Sequence, residues 1–444
     1  MTDELLVDIE ACREHIRAAS RPSFRGKVDI VSGVLVEAAG IPAAVGELCR
    51  IDRGPAGPIV AEVVGFRGAS TLLMPHGDLE GVAPRQEVTA LGRPFTVQVD
   101  RALLGCVLDG FGCLVDGREL PAASERRRVR AEAPPPLTRR PITGALQTGV
   151  RAIDGLLTLG RGQRLGIFAG SGVGKSTLLS QVARGTDADV RVVCLVGERG
   201  REVRSFLEQA LDDATRARTV VVAATSDRPP IERFLAPFTA LTIAEYFRDL
   251  GQDALLVMDS VTRFAGAARE IGLAAGEPPT VRGYPPSFFA TVPKLIERMG
   301  TSDRGSITGL ITVLLDGDDP NEPVADTLRG LLDGHVLLSR DIAQRGQFPA
   351  IDVLGSLSRL MDEIVDEPHL ARARRLRRVL ATWQEGRDLI EIGAYKPGTN
   401  PDLDAAVQIM PSVQAFLAQG TRESTGYEQT LQLLAALFPH EAAG

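Results

Sequence analysis

A lysine and a serine behind three closely spaced glycines, and two carboxylates at the ends of apolar runs, are the residues here best suited to chemistry. Leu165 to Leu179 reads LGIFAGSGVGKSTLL. An apolar strand runs into a glycine-rich turn, and a helix is expected to begin around Lys175-Ser176. Backbone N–H groups of such a turn, with the positive end of the helix, make a site for a polyphosphate. Gly170, Gly172 and Gly174, with Ser171 and Val173 between them, let the backbone approach the phosphates closely. Lys175 can reach the β- and γ-phosphate oxygens, Ser176 can offer its hydroxyl to Mg²⁺, and Thr177 carries the loop into the helix. The strict pattern has glycine where this chain has Ala169; alanine serves there if its φ need not be positive.

Hydrolysis of a bound nucleotide also needs Mg²⁺, an aligned water and compensation of the charge on the transferring phosphoryl group. Asp259 closes the apolar run Ala254 to Met258, so it should point into the crevice beyond the carboxyl ends of buried parallel strands. It is the candidate carboxylate holding Mg²⁺ through a water. Glu198 follows the run Val190 to Val196 and should emerge at the same edge. A glutamate there can orient and polarise the attacking water. Arg199 and Glu202 stand beside it in GERGREVR: Arg199 joins the catalytic candidates, and Glu202 joins Ser176 and Asp259 on the metal side. Charges at the start of a surface helix are the simpler reading for these two.

The elements that must position these groups follow from periodicity. Between residues 142 and 366, the apolar runs LGIFA, VRVVCLVG, TVVVAAT, ALLVMD, SITGLITVLL and HVLLS alternate with helical segments. Alternating βα units imply a mainly parallel sheet covered on both faces. Residues 25–99 carry short β-rich runs between Gly and Pro turns, the pattern of a small β-barrel. Residues 1–24 read as one helix with Leu5, Ile9, Cys12 and Ile16 on one face, a docking element for a partner or for the body of the chain itself. Residues 100–141 read as turns leading out of the barrel and then a Pro/Arg-rich linker. Its Arg126 to Arg128 run is expected to be a solvated face. Residues 367–444 turn helical, from LARARRLRRVLATW to TLQLLAALFP.

Composition narrows the classes. At 444 residues the chain calls for two or three domains. A formal net charge of -7 argues against a protein that mainly grips nucleic acid. The five cysteines form no CxxC pair, which reads as reduced cytosolic thiols. Histidines are dispersed, so any metal should arrive with a nucleotide. No stretch approaches the roughly 20 apolar residues of a membrane span, and the N-terminus lacks a signal-peptide core.

Several longer runs carry a family. AGSGVGKS, GERGREVR, DSVTRFA, EPPTVRGYPPSFFATVPKLIERMG and DGHVLLSRDIAQRGQFPAIDVLGSLSR resemble the catalytic subunits of rotary ATP synthases and their export relatives. DDPNEPVADTLRGLLDGH and GRDLIEIGAYKPGTNPDLDAAV are most similar to the flagellar branch of the type III protein-export ATPases. The resemblance runs from about Gly26 to Pro439. It implies an α/β, RecA-like P-loop NTPase core with an N-terminal β-barrel and a C-terminal helical domain. It also implies a homohexameric ring with ATP between subunits. Lys175 then takes the γ-phosphate, Ser176 the Mg²⁺ and Glu198 the water, with Arg199 a further γ-phosphate contact. Phe348, in GQFPAID, resembles the aromatic that stacks on adenine. Arg359, in SLSR, resembles the arginine finger reaching into a neighbour's site.

One chain holding both Glu198 and Arg359 would complete every site in a ring of identical copies. The implied function is ATP hydrolysis supporting substrate unloading and export, in a flagellum-specific apparatus before a virulence one. The implied partners are a stator-like regulator, export-gate components, and export chaperones with their substrates. The implied place is cytoplasmic, with peripheral contact at the inner-membrane export apparatus. Two other classes remain as alternatives: a non-hydrolysing regulatory subunit of a rotary synthase, against which Glu198 argues, and an RNA translocase. The latter needs a basic, aromatic N-terminal module, and aromatics make up only 5% of the chain.

Overall fold

In the computed structural model the described residues are 24–439 except 316, 318, 320 and 321. The expected N-terminal helix and its Leu5, Ile9, Cys12 and Ile16 face lie outside them. The chain divides into two compact units, at Phe95 and Thr96.

In the first unit, six antiparallel strands between Arg25 and Pro94 close a barrel. Inward positions carry Val28, Val36, Ala38, Cys49, Ile51, Ala61, Val63, Leu73 and Val88, which pack into one core. The period-2 alternation of these runs makes one face apolar, and closure removes the edges that a flat sheet would expose. The barrel ends at Pro94 rather than at the expected residue 99. Thr96–Val99 instead pairs antiparallel with Glu125–Arg128, inside the second unit.

The second unit is built on a nine-stranded sheet. From one edge, its order is Ile351–Ser358, Gly334–Leu338, Arg164–Ala169, Ser306–Leu314, Asp253–Asp259, Val190–Val196, Thr219–Ala224 and Val107–Leu108, with Gly300–Thr301 paired off this path. All six expected apolar runs are strands, and their pairings with one another are parallel. Val190–Val196 is buried at every position, as a strand covered on both faces must be. Three strands of this sheet were not anticipated, the two-residue Gly300–Thr301 among them. Ile351–Ser358 is antiparallel and half exposed, so its pattern is broken by polar residues and Gly355. Val107–Leu108 is too short to show periodicity, yet it extends the sheet beside Thr219–Ala224. The segment from Leu103 is thus part of the sheet edge, not simply an exit from the barrel.

The arginine-rich stretch is not only a solvated face either. Arg126 and Arg128 are exposed. Arg127 is partly buried, binds Asp249 at 2.7 Å and lies over the Tyr246 ring. Arg139 and Arg140 donate to the carbonyls of Met299 and Ser302 at 2.8 and 3.1 Å. The segment is held to the sheet by charge-assisted bonds that composition alone does not reveal.

Three long helices close the chain: Glu367–Glu391, Pro401–Leu417 and Tyr427–Ala436. Asp366 and Asn400 cap the first two by accepting backbone N–H groups. Leu376, Leu403, Met410 and Val413 are buried on their facing sides. Gly386 permits this approach, since a Cβ there would sit 2.5 Å from Leu403.

Candidate active site

Strand Arg164–Ala169 lies between Ser306–Leu314 and Gly334–Leu338, which brings Ala169 level with Leu314 and Leu338. Ala169 is fully buried and is not among the residues with positive φ, so alanine is unstrained there. The turn that follows needs glycine at Gly172 and Gly174, with φ of 79° and 98°. Gly174 is the cap residue of helix Lys175–Gly185. A Cβ on Gly172 would meet nothing within 4 Å, so that part of the loop faces open space.

The lysine beyond this loop meets both predicted carboxylates. The Lys175 ammonium binds the Asp259 carboxylate directly and lies 3.6 Å from Glu198. All three side chains are nearly enclosed, at 10%, 6% and 13% exposure. Asp259 ends its strand, as expected, and accepts the Thr312 hydroxyl at 2.8 Å. Ser176, Thr177, Glu198, Glu202 and Asp259 line one cleft of about 270 Å³.

Burial pushes the Glu198 carboxyl up to about 7, and its hydrogen bond with Glu202 and the nearby charge of Asp259 add to this, while Lys175 opposes them. The same hydrogen bond holds Glu202 below the usual carboxylate range. Glu198 is thus the carboxyl of the pair that holds a proton more readily, and in that form it can donate to Glu202.

Among the described residues no group of three or more His, Cys, Asp or Glu is arranged to hold a metal ion. A hard cation takes six or more oxygens, so Mg²⁺ here would rely on phosphate oxygens and water beside the Ser176 hydroxyl. The cluster fits that requirement: Ser176, Glu202 and Asp259 share the cleft, and the lysine bound to Asp259 is the group that would turn to the phosphates.

Phe348 stands at the loop. The residue is 41% exposed, and its Cδ1 lies 3.6 Å from where a Gly174 Cβ would be. Arg199 is exposed at the head of helix Gly200–Gln209 and has no bond drawing it to Lys175. Arg359 is the outlier. It follows the last residue of the antiparallel strand Ile351–Ser358, beside Gly334, and therefore sits at the opposite end of the sheet from Lys175. Within one chain it takes no part in the cluster.

Three neighbours of the site were not anticipated. Thr312 supports Asp259 from inside strand Ser306–Leu314. Arg340 donates to the Ser171 carbonyl of the loop at 3.1 Å. The side-chain stem of Arg263 lies against Gly197, one residue before Glu198. All three lie in runs singled out from the sequence, Arg263 in DSVTRF, Arg340 in DGHVLLSRDIAQ and Thr312 in SITGLITVLL, but their partners depend on strand register and on the course of residues 339–344.

Comparison with known proteins gives the family. The models of the ATP synthase alpha/beta family match at residues 29–92 for its beta-barrel domain and 149–358 for its nucleotide-binding domain. That of the T3SS EscN ATPase C-terminal domain matches residues 365–436. The flagellum-specific ATP synthase of Bacillus subtilis is 50% identical over 94% of this chain and 95% of its own length. The type 3 secretion system ATPase of Xanthomonas euvesicatoria is also 50% identical, over 93% of each chain. Among solved structures, the assembled ATPase EscN of the enteropathogenic E. coli type III secretion system superposes with a TM-score of 0.89 at 44% identity, covering 93% of this chain and 99% of that one. EscN in complex with its central stalk EscO gives 0.86 at 43% identity, with the same coverage.

Proposed function

The chain belongs to the ATP synthase alpha/beta family, among its type III export ATPases, and we propose that it turns over Mg·ATP at the cluster of Lys175, Glu198 and Asp259 in a ring of identical copies. The observation that carries this reading is the Lys175 ammonium seated between two buried carboxylates at the foot of a glycine loop. Such an ammonium is pre-placed to exchange Asp259 for phosphate oxygens. The loop N–H groups of residues 170–176 bind the polyphosphate, and Phe348 stacks on the adenine. Glu198, in its ionised form, aligns a water and takes its proton. Arg199 approaches the γ-phosphate from the helix head.

Mg²⁺, when bound, neutralises charge on the β- and γ-phosphate oxygens; Ser176 would ligate it, with Asp259 and Glu202 at its water shell. Arg359 serves the site of the adjacent copy in a homohexamer. A stalk like the EscO that accompanies EscN is the nearest candidate partner. A stator-like regulator, export-gate components and chaperone-bound export substrates complete the set.

No helix among the described residues is long and apolar enough to cross a membrane. The proposed place, which rests on the likeness to type III export ATPases, is the cytoplasm, peripherally at the inner-membrane export apparatus. Relatives of the flagellar and virulence branches match at equal identity; the flagellar assignment rests on GRDLIEIGAYKPGTNPDLDAAV and DDPNEPVADTLRGLLDGH.

Phosphate release by purified protein at high concentration tests the activity. Turnover that needs Mg²⁺ and vanishes in Lys175→Ala is expected; full turnover in that variant overturns the site. Loss of flagella on deletion of the gene, with effector secretion intact, is expected for the flagellar branch, and the reverse would assign the virulence one.

A further inference from the structure

The ring of Phe348 sits beside the glycine loop, but its main chain is held from the C-terminal helical region. Its carbonyl accepts the backbone N–H of Gln419 at 2.8 Å. Gln419 is only 4% exposed, and both ends of its side-chain amide are bonded. Its Oε1 accepts the Arg151 N–H at 2.9 Å. Its Nε2 donates to the carbonyls of Gly149 at 2.7 Å and Glu423 at 3.2 Å. A buried amide matched on both ends fixes the height of the chain that carries it, because any shift leaves a polar group unpaired.

The same segment grips the helix behind the phosphate loop. Gln181 donates to the Gly420 carbonyl at 2.9 Å, and Arg184 donates to that of Thr421. Arg151 donates to the Phe416 carbonyl at 2.9 Å and the Thr425 hydroxyl at 3.2 Å. The joint beneath is tight: a Cβ on Gly149 would lie 2.7 Å from the Gly185 Cα. Residues 415–425 therefore connect the turn at Gly149, the loop helix and the carbonyl of Phe348.

We propose that Gln419 is a positioning residue for base recognition: its buried amide sets residues 415–425 so that the Phe348 ring is held against Gly174, ready to stack on the base. This rests on the adenine-stacking role proposed for Phe348. It goes further in placing the control of that ring in the C-terminal helical region rather than in the loop. Gln419 touches Phe348 through its main chain, while Gln181 and Arg184 tie its segment only to the far end of the loop helix, beyond Lys175, so its influence should fall on the base before the phosphates.

The test uses full-length protein, with Mg·ADP and inorganic tripolyphosphate as paired probes. Gln419→Met keeps the length of the side chain and removes its polar atoms; Gln419→Glu keeps the acceptor for Arg151 and removes only the donor to Gly149 and Glu423. Expected for both is weaker Mg·ADP binding, about tenfold for the methionine variant, with tripolyphosphate binding unchanged. In turnover, KM for ATP rises while kcat holds. Phe348→Ala should give the same pattern, and combining it with Gln419→Met should add little. Equal loss of both probes would show a merely structural role, and loss of neither would also overturn the proposal. Wild-type protein that binds tripolyphosphate as tightly as Mg·ADP would instead sink the stacking role of Phe348, and wild-type protein that binds neither would sink the ATPase site itself.

Discussion

Lys175 and Arg359 lie at opposite ends of one sheet. Lys175 follows the carboxyl end of strand Arg164–Ala169, whereas Ile351–Ser358 runs antiparallel and delivers Arg359 beside Gly334. The exposed Arg359 guanidinium donates to the Arg329 carbonyl at 3.4 Å and faces away from its own loop. An arginine so placed can serve a γ-phosphate only in a neighbouring copy. Arg359→Ala should therefore lower kcat by about 10³-fold or more, with ATP binding retained. Mixing it with Lys175→Ala should restore turnover, because mixed rings contain contacts where an intact loop meets an intact arginine. Verified mixed rings without activity would remove Arg359 from the reaction.

Glu198 and Lys175 should separate binding from chemistry. Glu198→Gln keeps the shape of the side chain and removes the proton acceptor, so kcat should fall about 10²- to 10⁴-fold while Mg·ATP still binds. Lys175→Ala should weaken nucleotide binding as well, because in the proposed site the ammonium itself meets the phosphates. Calorimetric titration beside phosphate release distinguishes the two. Unchanged turnover in Glu198→Gln would remove it as the base.

The candidate site was legible in the sequence wherever a candidate residue ends a strongly apolar strand. Asp259 and Glu198 follow Asp253–Asp259 and Val190–Val196, whose burial makes their boundaries plain. Lys175 was legible because Gly172 and Gly174 are required by their positive φ. Thr312 and Gln419 were not, because a threonine inside a strand and a glutamine at a helix end look ordinary until register and tertiary contacts give them partners. The same holds for Arg127, Arg139 and Arg140. A basic run reads as solvated unless the acceptors opposite it are known, and those lie more than a hundred residues away in the chain.

The hydrogen bond between Glu198 and Glu202 predicts a pH dependence. Glu198 is raised from 4.5 to about 7 in the folded chain, so the free enzyme holds its base largely protonated below neutrality. Because kcat/KM reports the free enzyme, it should fall on the acid side with a midpoint near 7. Glu202→Gln removes the carboxylate that favours the protonated form, and the acid limb should move to lower pH. On stability the sign is opposite: a raised carboxyl pKa contributes stability that is full below about 4.5 and is lost as pH rises through 7. Glu198→Gln should flatten that decline in the melting temperature of nucleotide-free protein. An acid limb left in place by Glu202→Gln would break the proposed link.

Arg298 tests how the arginine-rich connector is joined to the sheet. It is 1% exposed, pairs with Glu245 at 2.6 and 2.9 Å and also donates to the Val129 carbonyl and the Thr242 hydroxyl. Val129 directly follows strand Glu125–Arg128, so one guanidinium ties the connector to helix Pro230–Asp249. Removing one partner of a buried pair leaves the other charge uncompensated, which costs about 3–5 kcal/mol. Arg298→Ala should lower the denaturation midpoint by that measure. Replacing both partners, as Arg298→Met with Glu245→Leu, removes the stranded charge and should recover most of the loss, while the Val129 carbonyl keeps only the Thr242 hydroxyl, at 3.4 Å. If the single variant is as stable as the parent, the connector is not anchored through this arginine. If the double variant is no better than the single, the loss lies in the bond to Val129 and not in the ion pair.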